Sequence, residues 1–150
     1  MPKIASLRKK SHFTLQLSNS RIQSWRAIMK AFSTIYSSLE NKLLEDGCTV
    51  SRFQIMFYLY FDGPHRAIDI ANKMIVSRGN ITSFLRRLEK DEIIKAVYKK
   101  NEKRPSYTLT SNGKYFFESL FPKHLERVMK MTPSLNKKTI HQLLSVEKLN

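Results

Sequence analysis

The sequence predicts a mainly α fold with a small β-hairpin, an α+β arrangement, and three observations carry the prediction. Long stretches without Pro or Gly place apolar residues three and four apart, the spacing of one helix face. Two short runs rich in β-branched and aromatic residues, Ile93 to Lys100 and Ser106 to Leu109, flank a charged loop and read as paired strands. Cap and turn residues (Asp46-Gly47, Ser51, Asp62-Gly63-Pro64, Ser77, Thr110) fall at the joints between these segments.

The elements follow in order. Residues 1–17 form a basic N-terminal arm; a solvated tail and an arm lying along phosphates both fit its composition. From Ser18 to about Glu45, Ile22, Trp25, Met29, Phe32, Tyr36, Leu39 and Leu43 make a heptad seam on a helix about 40 Å long. That seam fits packing on a second subunit as well as folding back on its own chain. Gly47 suits a left-handed C-terminal position, and Ser51 is the predicted N-cap of RFQIMFYLYF, a helix apolar almost all round and so the expected core element. Its aromatics read as scaffold.

His65 to Met74 is predicted as a short helix burying Ile68, Ile70, Ala71 and Met74, followed by a tight turn at Ile75-Val76. Ser77 is expected to open a second helix, SRGNITSFLRRLEKD, with Ile81, Leu85 and Leu88 on its inner face. The hairpin places Lys103, Arg104 and Pro105 at its tip. Thr110 then caps a long helix with Phe117, Leu120, Phe121, His124, Val128 and Met131 along one side and Pro122 within it. A last helix, from about Pro133 to Lys148, carries Leu135, Ile140, Leu143 and Leu144 and is too short to stand alone.

A short helix, a turn, a basic helix and a basic hairpin make a winged helix-turn-helix lobe, expected over residues 47–110. Residues 18–46 and 111–150 would form a helical dimerisation region. The order describes a device for reading DNA. Net charge supports it: 27 Lys and Arg against 12 Asp and Glu give +15, and no acid precedes Glu40 while seven basic residues lie between Lys3 and Lys30. The outer face of the second helix shows Arg78, Asn80, Thr82, Ser83, Arg86 and Arg87, the side-chain types that meet base edges and phosphates in a major groove.

Other classes find less support. There is no HExxH, CxxC or Gly-rich phosphate loop, and His12, His65, His124 and His141 fall in unrelated segments, so an enzyme is not expected, nor a cofactor or metal. No apolar run approaches the roughly 20 residues of a membrane span, and the basic start lacks the apolar core of a signal peptide, so a cytoplasmic protein without membrane contact is expected. Cys48 is the single cysteine; a redox sensor needs a lowered thiol pKa, which its surroundings do not suggest, so an inert thiol is the expectation. A non-specific architectural DNA binder is the main rival, since +15 and a basic arm would suffice for it. A winged helix used for protein contacts is a third reading.

Several local patterns together resemble the MarR-type winged-helix transcriptional regulators. The stretch from Leu43 through IANKM, the run VSRGNITSFLRRLEKDEII, and YTLTSNGK with Leu109, Thr110 and Gly113 are similar to the family's approach to the motif, its recognition helix and its Leu-Thr-x-x-Gly signature. The likeness is close from about Leu44 to Lys114. It departs at Glu92, where the family usually has Gly, and in the wing, where Asn101-Glu102-Lys103-Arg104 replaces Asp-x-Arg and is about one residue shorter.

The resemblance implies a homodimeric, sequence-specific regulator of double-stranded DNA, expected to be a repressor. Its two recognition helices would meet successive major grooves roughly 34 Å apart on a pseudo-palindromic site. Arg78, Asn80 and Thr82 would read bases, Arg78 suiting guanine and Asn80 adenine. Ser77, Ser83, Arg86, Arg87, Lys95, Lys99 and Lys100 would touch phosphate, with Arg104, or Lys103 after it, in the minor groove. Members of the family commonly release DNA when a small effector binds between the lobes. Trp25, Tyr36, Phe117 and His124 are the candidates to line such a cleft, although aromatics at helical spacing are more often core.

Overall fold

The protein is described from a computed structural model covering residues 13–74, 80–100 and 102–147. The elements run α1 (Ser20–Glu45), α2 (Val50–Phe61), β1 (His65–Arg66), α3 (Ala67–Lys73), α4 (Ile81–Lys90), β2 (Ile94–Val97), β3 (Ser106–Leu109), α5 (Ser111–Met131) and α6 (Lys137–Glu147). Helices with one small antiparallel sheet are the fold class the sequence predicts. Two compact units divide the chain, one up to Ser38 and one from Leu39 onward.

In the first unit, the α1 seam is open: Ile22, Trp25, Met29 and Phe32 are exposed, and Phe32 stacks on Tyr36 within its own helix at 5.8 Å. In the second unit the seam closes at Leu43, which is fully buried. Gly47, at φ 76°, ends α1, and the Cys48 amide returns to the Leu43 carbonyl at 2.8 Å. The cap of α2 is Thr49, not Ser51: its hydroxyl accepts from the Arg52 amide at 3.2 Å, so the helix starts two residues earlier than the sequence suggests.

Phe53, Ile55, Met56 and Leu59 of α2 enter the core, as expected of a central element. Phe57, Tyr60 and Phe61 do not. They lie on an exposed side where Phe61 meets Phe121 of α5 at 5.2 Å between ring centres, so α2 is buried on one broad face only.

The segment after Pro64 is corrected more substantially. His65 and Arg66 are not helical but form β1, paired with Tyr107 and Ser106 of β3, giving a three-stranded sheet of order β1-β3-β2. Cross-strand hydrogen bonds reward an extended backbone there, which a local helical pattern does not reveal. With α3 starting at Ala67, Ile70, Ala71 and Met74 are buried but Ile68, two residues from Ile70 and so on the opposite face, is 54% exposed.

Strand β3 coincides with the expected SYTL. Strand β2 is shorter than expected, because beyond Val97 the chain leaves the ladder and turns, the Glu102 amide donating to the Lys99 carbonyl at 3.0 Å. Helix α5 passes through Pro122 and places Phe117 and Leu120 in the core with Phe121, His124, Val128 and Met131 half-buried beside them, the predicted side. In α6, Ile140, Leu143 and Leu144 are exposed, as is Leu135 before it.

Candidate nucleic-acid interface

Helix α4 is held by one face. Leu85 and Leu88 are buried, with Ile81 and Phe84 packed against the same core. Thr82, Arg86 and Lys90 are exposed on the other side, with Ser83 half-buried between them. Lys90, four residues from Arg86, was not singled out from the sequence; its i+4 spacing is the signal that places it on this face. Ser77 and Arg78 lie outside the described residues, so neither the expected cap nor the expected guanine reader is described.

The described helix is capped by Asn80, whose side-chain oxygen accepts from the Ser83 amide at 3.2 Å. An adenine contact uses both the oxygen and the NH2 of an Asn, and here the oxygen already serves the helix. Arg87 sits on the flank of α4 that faces α2, where it lines a cavity with Arg52, Phe84 and Asp91.

The far end of α4 is fastened to the start of α5. Asp91 closes the helix, Glu92 turns the chain at φ 55°, and the Ile93 amide donates back to the Leu88 carbonyl at 2.9 Å. Thr110, which caps α5 by accepting from the Gly113 amide at 3.0 Å, donates its hydroxyl to the Glu92 carbonyl at 2.5 Å. Glu92 thus makes a left-handed turn without being a glycine, and the Leu-Thr-x-x-Gly pattern is the joint that fixes the hairpin relative to α4. Arg52 of α2 reaches the same end, pairing with Asp91 at 2.9 Å while its guanidinium lies 5.6 Å from the centre of the Phe116 ring.

On the hairpin, Lys95, Lys99, Lys100, Lys103 and Arg104 are all exposed. Charge is sorted across the molecule. Lys42, Arg52, Arg66, Lys73, Lys123, Arg127 and Lys130 are each neutralised by a nearby carboxylate. Among the described residues, Arg86, Arg87, Lys90, Lys95, Lys99, Lys100, Lys103 and Arg104 make no ion pair. Eight unneutralised cations thus lie on α4 and the hairpin, where a polyanion would release counterions on binding; the other described ones, Arg21, Arg26, Lys30, Lys114, Lys137 and Lys138, are spread over α1, α5 and α6.

The four residues suggested for an effector cleft do not behave as a set. Phe117 is fully buried, 5.5 Å from Phe53 and 5.2 Å from Phe121 between ring centres, and is core, not cleft wall. His124 packs on Phe53 at 4.3 Å; its Nδ1 is buried without a hydrogen-bond partner among the described residues. Burial, reinforced by the nearby Arg127 charge, holds its pKa below the ordinary 6.5. Trp25 and Tyr36 belong to the first unit, where Trp25 lies on an exposed dip of α1 beside Arg26 and Met29.

Cys48 is buried, and burial pushes its thiol up to about 12, so the reactive thiolate is absent near neutral pH. No group of three His, Cys, Asp or Glu side chains among the described residues is placed to hold a metal ion, and no described helix is long and apolar enough to cross a membrane.

Helices α3 and α4 followed by the basic β2–β3 hairpin, with β1 on its edge, make a winged-helix arrangement. Residues 48–105 match the sequence model of the MarR family. The chain is 23% identical over 121 residues to the HTH-type transcriptional regulator YkoM of Bacillus subtilis, covering 80% of this chain and 79% of that one. The fold is shared with Sco3205, a MarR family regulator from Streptomyces coelicolor in complex with DNA, at TM-score 0.74 and 19% identity over 87% of this chain and 86% of that one. It is shared also with BpsR of Bordetella bronchiseptica, whose DNA binding is regulated by 6-hydroxynicotinic acid, at TM-score 0.68 and 13% identity over 84% and 96% of the two chains.

Proposed function

We propose that the protein is a homodimeric repressor that binds a pseudo-palindromic duplex site with α4 in the major groove and the hairpin tip in the adjoining minor groove. The gathering of unpaired cations on α4 and the hairpin is the observation that carries this reading. Thr82, together with Arg78 and Asn80 at the helix start, would meet bases. Ser77, Ser83, Arg86, Arg87, Lys90, Lys95, Lys99 and Lys100 would meet phosphates, and Arg104 or Lys103 the minor groove. The exposed apolar seam of α1 and the exposed leucines of α6 support a second copy as their cover, since surfaces of this kind on a stable chain mark an interface. Release by a small effector is part of the proposal, in keeping with the regulation of BpsR.

The test is binding to a labelled fragment from upstream of the protein's own gene, in excess random-sequence duplex at near-physiological salt. A retained complex with two protected half-sites supports the regulator. Complete competition by random duplex favours an architectural DNA binder, for which the +15 charge would suffice.

A further inference from the structure

One aromatic side chain of the hairpin belongs neither to the core nor to a hydrogen-bonded pair. Tyr98 is 69% exposed, one residue beyond the end of β2, and its hydroxyl has no hydrogen-bond partner among the described residues. On α2, by contrast, the Tyr58 hydroxyl donates to the Lys73 carbonyl and the Tyr60 hydroxyl to the Glu118 carboxylate. We infer that Tyr98 binds the sugar-phosphate strand of a duplex where that strand passes from α4 to the hairpin tip, its hydroxyl donating to a phosphate oxygen and its ring lying on a deoxyribose. The inference deepens the DNA-binding reading and rests on it.

The sheet decides which way Tyr98 faces. Ala96 stands opposite Tyr107 and Val97 opposite Ser106. Alternation along the strand therefore puts Tyr98 on the face of Ala96, diagonal to Tyr107. That face adjoins α4, since Glu89 lines one hollow with Ile94 and Ala96. Tyr107 senses both neighbours: burial first, then Glu89 and Tyr98, hold its pKa above the ordinary 10. Tyr98 thus stands at the junction of α4 and the hairpin.

Charge decides what meets it there. Arg86 and Lys90 are exposed on α4 without an ion pair, and Lys99, Lys100, Lys103 and Arg104 follow Tyr98 along the hairpin in the same state. A polyanion that engages both sets crosses the junction between them, and the side chain it meets is neutral. A phenol offers one donor to a phosphate and an apolar face to a sugar, and it displaces no counterion. Tyr98 therefore adds affinity of a kind the cations cannot, directional and insensitive to salt.

The contact is to the backbone, so it is testable on random-sequence duplex without a known operator. Affinity is measured over a series of salt concentrations for the wild type, Tyr98→Phe, Tyr98→Ala and Lys100→Ala, with urea unfolding to show that each variant is folded. Tyr98→Phe should bind about fivefold more weakly and Tyr98→Ala about twentyfold, both with the wild-type slope of log affinity against log salt, while Lys100→Ala lowers that slope. A duplex selected on the wild type from a random-sequence pool is then rebuilt with one methylphosphonate at a time. At the contacted phosphate the wild type should lose more affinity than Tyr98→Phe does, because only the wild type has a hydroxyl bond to lose. Equal affinity of wild type and Tyr98→Phe, a loss accompanied by a shallower salt slope, or equal losses at every methylphosphonate would overturn the inference and leave the regulator reading standing. A wild type that binds no duplex even at low salt overturns that reading and this one with it.

Discussion

Gly113, at the start of α5, lies so close to Ile93 that a Cβ built on it would fall 2.0 Å from the Ile93 carbonyl oxygen. That oxygen cannot retreat freely, because it also accepts from the Thr110 amide at 3.0 Å. Gly113→Ala should therefore destabilise the protein by about 3 kcal/mol, the upper part of the overpacking range. Urea unfolding checks it, and a change well under 1 kcal/mol would mean the joint between the hairpin and α5 is softer than its geometry implies.

Glu92 holds the left-handed conformation that its neighbours demand. At φ 55° an L side chain costs roughly 1–2 kcal/mol, and glycine recovers most of this against a smaller loss of unfolded-state entropy. Glu92→Gly should raise stability by about 1 kcal/mol. Glu92→Val should lower it. Both are read from the urea midpoint with an unchanged slope.

Asn80 has a structural task that is separable from a reading task. Asn80→Ala loses the cap of α4 and about 1 kcal/mol, while Asn80→Ser keeps a capping hydroxyl and most of the stability. If Asn80 also reads a base, Asn80→Ser keeps the fold and loses discrimination between operator and random duplex. Wild-type discrimination in that variant would remove Asn80 from the base readers.

Lys100 and Arg78 should fail in different ways. Lys100→Ala is expected to weaken all duplexes alike and to reduce the slope of log affinity against log salt by about 1, whereas Arg78→Ala should relax sequence preference. Competition binding at several salt concentrations distinguishes them. A uniform loss in both would deny Arg78 its reading role.

Two groups near α5 contribute to the acid side of stability. His124 has a folded pKa below 6.5, so its contribution is complete above 6.5 and is lost as pH falls through the lower folded value. Asp46, hydrogen-bonded by Arg127 at 2.6 Å and paired with Lys123, is held below 3.8; its contribution is complete above 3.8 and is lost only as pH falls through that depressed value. His124→Phe should flatten the fall in unfolding free energy just below pH 6.5. Asp46→Asn should cost about 1 kcal/mol at neutral pH and remove a slope only in stronger acid. Urea unfolding across pH resolves the two.

The hairpin, the inner face of α4 and the predicted side of α5 were legible because each repeats at the period of its own secondary structure: Ile81, Leu85, Leu88 at three and four, SYTL as a short β-rich run, Phe117, Leu120 and His124 down one stripe. Caps were less legible. Thr49 and Ser51 are both good N-caps by type, and the choice between them depends on where the chain leaves the Gly47 turn. Ile68 was misplaced because β1 takes the two residues before it, and β1 exists only where β3 runs alongside.

The sequence by itself determined the order of the helices and of the two hairpin strands, the excess of positive charge and the winged helix-turn-helix class, since periodicity, turn chemistry and net charge are local or additive properties; β1 was not among them. Tertiary structure decided which cations stay unpaired, why position 113 must be glycine, that Phe117 is core and that Arg87 lines a cavity against α2. Those depend on distances between residues far apart in the chain, such as Arg52 and Asp91 or Ile93 and Gly113, which packing alone brings within a few ångströms of each other.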